Sequence, residues 1–299
     1  MTTPRPDGFL NVLKPPAMTS HDVVARLRRL TGLKVGHTGT LDPAAAGVLV
    51  LCLGVATRLA GHVVGLPKSY RGEIEFGLAT STGDAEGVVL ERSAPPEVRS
   101  EDLAAALESL TGTIRMTPPA FSAVHVNGRR AYEAAREGET PELEARVVTL
   151  YSLRSVRFEP SPPPRLFIDV TCSAGTYIRV LAEMIGERLS CPATLRGLVR
   201  TRVGHFAIED AVVPDRIQTG DLARLVVSPS DGLAHLPSVT LDDARTRAVL
   251  HGNRIPLPPG GAEAGQIRLL DAAGRLVAVG EAVNDGGNRE IQPKTVLPL

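Results

Sequence analysis

Gly36-His37-Thr38-Gly39-Thr40-Leu41-Asp42-Pro43 runs directly into Ala44-Ala45-Ala46-Gly47-Val48-Leu49. Two glycines, an imidazole, two hydroxyls and a single carboxylate are followed at once by the most apolar run of the chain, Ala44 to Ala56. Glycine opens backbone angles closed to other residues, and Pro43 disfavours helix at the residue before it. One reading places Asp42 at the rim of a rigid loop with a buried element directly behind it. The other makes Asp42 the cap of a short helix with Pro43 in its first turn. Spacing alone leaves both open. The apolar run covers thirteen residues and contains two glycines. It falls short of the about 20 residues that span a bilayer, so it reads as a buried strand or core segment.

Outward from this stretch, the chain reads as alternating strands and amphipathic helices. Phe9 to Lys14 is a short strand stopped at Pro15. Thr19 and Ser20 supply hydroxyls to cap a helix with Val23, Val24, Leu27 and Leu30 at helical spacing, ended by Gly32. A strand from Val48 to Leu53 and a helix from Thr57 to Gly65 follow. Lys68 to Gly77 alternates as a strand. Thr80 to Gly87 is an acidic, turn-rich loop whose spacing fits neither a calcium loop nor a phosphate loop, and it reads as a structural turn. Leu103, Leu107 and Leu110 share one face of a helix over 100–110, and the acidic stretch 134–145 reads as helix-prone surface. Arg146 to Phe158 and Arg165 to Cys172 are strands, the second delivering Gly175-Thr176-Tyr177-Ile178-Arg179 ahead of an amphipathic helix. From Pro237 the texture becomes short, Gly- and Pro-rich and strand-like, at 267–270, 276–279 and 295–297, which predicts a small all-β unit. The expected domains are 1–236 and 237–299.

Composition narrows the class. The 299 residues are 43% hydrophobic and 22% charged, ordinary for a globular protein. Cys52, Cys172 and Cys191 are scattered and form no CxxC pair, which supports neither a zinc site nor a disulfide framework. The first eight residues lack the apolar core of a signal peptide, and a cytoplasmic location is expected. Net charge is zero, yet residues 1–71 carry nine Lys or Arg against three acids, a net +6 balanced by −6 elsewhere. Such asymmetry can focus a positive field where a polyanion docks.

The string Gly-His-Thr-Gly-Thr-Leu-Asp-Pro-x-Ala-x-Gly-Val-Leu resembles the catalytic signature of the TruB family of tRNA pseudouridine synthases. Gly175 to Arg179 is a second strong match. Lys14-Pro15 with Thr19-Ser20, Thr82-Gly83-Asp84 with Gly87, and Pro118-Pro119-Ala120-Phe121-Ser122-Ala123 are further matches, Phe121 standing where a Tyr would bring a hydroxyl. The resemblance covers residues 9 to about 210; for 237–299 it is positional only, to a PUA-type RNA-binding module.

The resemblance implies an α+β fold, a mixed sheet flanked by helices with a small C-terminal β-rich PUA-like domain. It implies conversion of uridine to pseudouridine at position 55 of the tRNA T-loop, by base flipping and without cofactor or metal. Asp42 would be the catalytic carboxylate, in a water-excluding pocket with Arg179 as its partner. Tyr70 would stack on the base, Tyr177 and Leu198 would shape the pocket, and His37 would fill the space the base leaves. Lys14, Arg196 and Arg200 are candidates for phosphate. The partner is tRNA, with no membrane, and the protein is expected to be a monomer. A non-catalytic tRNA-binding or RNA-folding protein is the alternative; a glycosidic hydrolase would want a second acid, and none is evident near Asp42.

Overall fold

The structure of the chain, a computed structural model, describes residues 6–94, 96–122, 125–126, 129–130, 143–258, 264–285 and 288–298. The N-terminal segment supplies β1 (Gly8–Lys14), α1 (Ser20–Thr31), β2 (Val35–His37) and β3 (Ala46–Leu53). After α2 (Ala60–Val64) come β4 (Lys68–Phe76), the small pair β5 (Leu78–Thr80) and β6 (Val89–Arg92), α3 (Ser100–Leu110) and β7 (Gly112–Met116). The pair β8 (His125–Val126) and β9 (Arg129–Arg130) precedes β10 (Arg146–Glu159), β11 (Arg165–Cys172), α4 (Ile178–Arg188), β12 (Ala193–Val203) and β13 (Phe206–Ala207). Among the described residues, nine of these strands form one sheet in the order β1-β3-β12-β4-β11-β10-β7, with β2 on β3 and β13 on β12. Among the described strands, only β3 and β12 run parallel within it.

Residues 47–53 of β3 are buried without alternation because both faces of the sheet are covered there. On one face Leu49, Leu51 and Leu53 pack with Val23, Val24 and Leu27 of α1. On the other, Val48, Val50 and Cys52 pack with Phe9, Phe206 and Leu233. The predicted caps of α1 are present: Thr19 and Asp22 close a capping box, and Gly32 takes the left-handed conformation at φ 66°. Further along the sheet, α3 and α4 bury Leu103, Leu107, Leu110, Leu181 and Ile185 against Ile74, Leu166, Ile168 and Leu195.

Two expectations change. In place of one helix over 57–65, a 3-10 turn over Gly54–Leu59 leads into α2, with the Thr57 hydroxyl bonded to Gly54 O at 2.8 Å. The C-terminal unit is β-rich but not all-β. Its five strands β14 (Ser238–Thr240), β15 (Ile255–Pro256), β16 (Gln266–Leu270), β17 (Leu276–Asp285) and β18 (Asn288–Val296) are joined by a helix Asp243–Leu250. The Asp242 side chain caps that helix through Arg245 N–H at 2.7 Å, a signal hidden among the surrounding turn residues. Leu276, Val279 and Leu297 of this unit join the same core as Phe9 and Val48, so the two units share apolar surface. The acidic stretch 134–145 falls almost wholly outside the described residues.

Candidate active site

Asp42 lies in the connection between β2 and β3. No helix begins there, so the capping alternative gives way to the loop. Pro43 and Ala44 form a turn, and Ala45 N–H donates to Asp42 O at 3.1 Å. The loop is tied down residue by residue. Thr38 N–H donates to Val50 O at 3.0 Å. The buried Ser20 hydroxyl donates to Leu41 O at 3.1 Å and accepts Leu41 N–H at 2.9 Å. Arg200 donates to Gly39 O at 2.9 Å and to Thr40 O at 3.4 Å. Pro43 O accepts from the Lys14 ammonium at 3.1 Å and from Ala17 N–H at 3.0 Å.

Lys14 and Arg200, candidates for phosphate in the sequence, are engaged here with backbone carbonyls. Lys14 is fully buried, and its three donors face the carbonyls of Pro15, Met18 and Pro43. Burial pushes its pKa down to about 8, with the Asp42 carboxylate opposing the shift. Arg200 is 2% exposed. Arg196 is half-exposed and pairs with Glu75 at 3.3 Å. Much of the N-terminal positive charge is likewise spoken for: Lys68 is buried on the carbonyls of Val64 and Leu66, Arg71 forks onto Asp169, and Arg26 pairs with Asp215. A charge count sees the residues but not where their heads point.

Arg179, at the start of α4, is the hub of the site. Its Nε lies 3.1 Å from Asp42 Oδ2, the partnership expected of it. Its two Nη atoms donate to Thr82 O and Phe121 O, each at 2.9 Å. Nε also faces Asp84 Oδ2 at 3.6 Å. The 80–87 loop is therefore a wall of the site and not merely a turn. Asp84, which the reading of composition and spacing left in a structural turn, is thus a second carboxylate beside Arg179. Gly83, at φ 70°, lets the loop rest on α4: a Cβ there would meet Glu183 Oε1 at 2.6 Å.

The remaining candidates surround this pair. Tyr70 on β4 is 8% exposed and pairs in register with Arg200 on β12; burial raises its phenol pKa, and the neighbouring guanidinium opposes the rise. Tyr177 at the start of α4 and Leu198 on β12 are half-buried and pack against the core beneath the site. His37 ends β2, and its Nδ1 accepts Gly39 N–H at 3.3 Å. Burial lowers its pKa, which favours the neutral ring. The Asp42 side chain is 43% exposed, so the described side chains do not form the expected water-excluding pocket around it. Among the described residues no group of His, Cys, Asp and Glu is arranged to hold a metal ion, and no helix is long and apolar enough to cross a membrane.

A chain of an H/ACA RNP bound to a substrate RNA containing 2'-deoxyuridine shares this fold with a TM-score of 0.74 at 23% identity, covering 99% of this chain and 86% of that one. A chain of a Cbf5-Nop10-Gar1 complex aligns with a TM-score of 0.73 at 26% identity, covering 96% and 83%. The class is a pseudouridine-synthase fold joined to a small β-rich unit. Residues 27–178 match the model of the TruB family pseudouridylate synthase N-terminal domain, and residues 237–297 match that of the pseudouridine synthase II TruB C-terminal domain. A tRNA pseudouridine synthase B of Moorella thermoacetica is 45% identical, covering 97% of this chain and 99% of the relative; one of Heliobacterium modesticaldum is 42% identical, covering 97% and 95%. The chain belongs to the TruB family of pseudouridylate synthases, enzymes of the isomerase class.

Proposed function

We propose that this chain converts a uridine of tRNA to pseudouridine at position 55 of the T-loop, with Asp42 as the reacting carboxylate. The observation that carries the reading is Asp42 held 3.1 Å from a buried guanidinium on a loop anchored on both sides. The relatives that match nearly the whole chain are tRNA pseudouridine synthases. In the isomerisation the bond from N1 to the sugar breaks, the base turns, C5 joins the sugar, the proton on C5 is released, and N1 takes up a proton. Nothing is oxidised and no phosphate is consumed, so no cofactor is required.

The target base sits in a folded loop and must be flipped out, at a cost of about a few kcal/mol. An open Asp42 suits that event, because the incoming nucleotide supplies the cover that the protein lacks. Arg179 pairs with the carboxylate and orients it for attack on the sugar or for taking a proton from it. Tyr70 offers its ring to the base, and Tyr177 and Leu198 shape the walls. The neutral His37 ring takes the place the base vacated. The enzyme acts as a monomer in the cytoplasm. A protein that only folded tRNA would not need a half-open carboxylate against a buried arginine.

Release of tritium from C5-labelled uridine in a T-loop RNA tests the reading. Wild type releases tritium, and Asp42→Asn, nearly isosteric but uncharged, releases none while still binding the RNA. Release by Asp42→Asn at a rate near wild type would overturn the assignment.

A further inference from the structure

Arg200 lies within the large sheet, on the strand β12 that runs parallel to β3. Across β12 its register partners are Gly47 on β3 and Tyr70 on β4. The side chain is buried, and it donates from Nε to Val48 O at 2.7 Å, from Nη2 to Gly39 O at 2.9 Å and from Nη1 to Thr40 O at 3.4 Å. Tyr70 stands directly opposite it on the neighbouring strand, as its register partner. The three carbonyls bracket Asp42 in sequence, and the phenol belongs to the neighbouring strand. One planar cation thus holds the loop that carries the carboxylate, from the strand position that faces the ring expected to meet the base.

An apolar side chain of similar volume would fill this position with no charge to desolvate. It would not hold three backbone carbonyls on the two sides of Asp42. Lysine could not do so either, since its ammonium is a point donor on a flexible stem and lacks the fixed fork of a guanidinium. The contacts place Arg200 one layer behind the reacting atoms.

We propose that Arg200 is a positioning residue of the isomerisation, setting the spacing between the Asp42 carboxylate and the Tyr70 ring. The inference rests on the reading of Asp42 given above. Arg200 touches neither the RNA nor the reacting atoms and acts through Tyr70 and the 39–48 backbone. Misplacement of a reacting group by about 1 Å costs about 10²-fold in rate, and that sets the expected size of the effect.

The test compares wild type, Arg200→Lys, Tyr70→Phe and the double variant by single-turnover tritium release, with tRNA Kd measured in parallel. Arg200→Lys should lower the rate about 10²-fold with Kd within about twofold, as expected for a residue remote from the RNA. In the Tyr70→Phe background the same change should cost at least about fivefold less, because side chains at paired positions of neighbouring strands do not act independently. Independent, multiplying losses would mean that Arg200 does not act through Tyr70 and would overturn the proposal. So would an Arg200→Lys rate near wild type, or a loss confined to Kd. Arg200→Gln, neutral but planar, replaces the lysine variant if that one does not fold; failure of both to fold would mark Arg200 as a residue of the fold alone. Wild type that releases no tritium overturns the functional reading, and this inference with it, whereas an active wild type with indifferent Arg200 variants overturns only the inference.

Discussion

Arg179 stands between two carboxylates of unequal standing. Asp42 is 43% exposed and close; Asp84 is 14% exposed and half an ångström farther from the same Nε. Asp84 is also committed to its own loop, accepting from the Thr82 hydroxyl and from Glu86 N–H. Its charge fixes the guanidinium without competing for the substrate side. Asp84→Asn keeps the turn but removes that charge, and kcat should fall about tenfold, or ~1.4 kcal/mol in the barrier, with little change in stability. Arg179→Met differs, because it also strips the donors from Thr82 O and Phe121 O. Orphaned acceptors of this kind cost about 1–3 kcal/mol, and the half-exposed ion pair adds little more. Urea melts and tritium release on the two variants should therefore diverge: activity lost in both, stability lost only in Arg179→Met.

At the level of elements, the site is a product of how closely β3 and β12 approach. Gly47 faces Arg200 across the parallel pair at φ 114°, and a Cβ there would sit 2.2 Å from Arg200 O. The neighbour is backbone, which cannot swing aside. Gly47→Ala should destabilise by more than about 4 kcal/mol, the range reserved for steric and strain defects. Thermal melting or insoluble expression reports it. Gly36 has open space around it, so Gly36→Ala in the same assay is the control, with a Tm close to wild type.

For the whole molecule, the seam between the large sheet and the C-terminal unit carries the imidazole of His62. His62 Nδ1 meets Gln266 Oε1 at 2.9 Å, Arg58 donates to Val296 O at 2.9 Å, and the His205 ring lies 4.2 Å from that of Phe206. Burial holds His205 and His235 below the ordinary 6.5. The folded state then binds fewer protons than the unfolded chain as pH drops through 6.5. Stability present above that pH is lost as pH falls toward the folded-state values. Tm should decrease between pH 7.5 and pH 5.5, and a His205→Gln, His235→Gln double variant should flatten that decline. An equal decline in the double variant would assign the effect to other groups.

What the sequence by itself determined is local or motif-borne. The capping box and Gly32 bound α1, alternation marks β4 and β11, and leucine spacing marks α3, because caps and periodicity are properties of neighbours along the chain. The two long motifs likewise placed Asp42 and Arg179 in one reading before any distance was known. Only the tertiary structure decided where the cations go. Lys14 and Arg200 read as surface charges suited to phosphate, yet both lie under the Asp42 loop, bonded to carbonyls. Asp84 read as part of a turn until folding brought α4 against it. A charged residue in a strand or loop has the same local signature whether it faces water or the core. Its side is chosen by long-range pairing, here the parallel joining of β3 to β12 and the seating of the 80–87 loop on α4, which no window of adjacent residues contains.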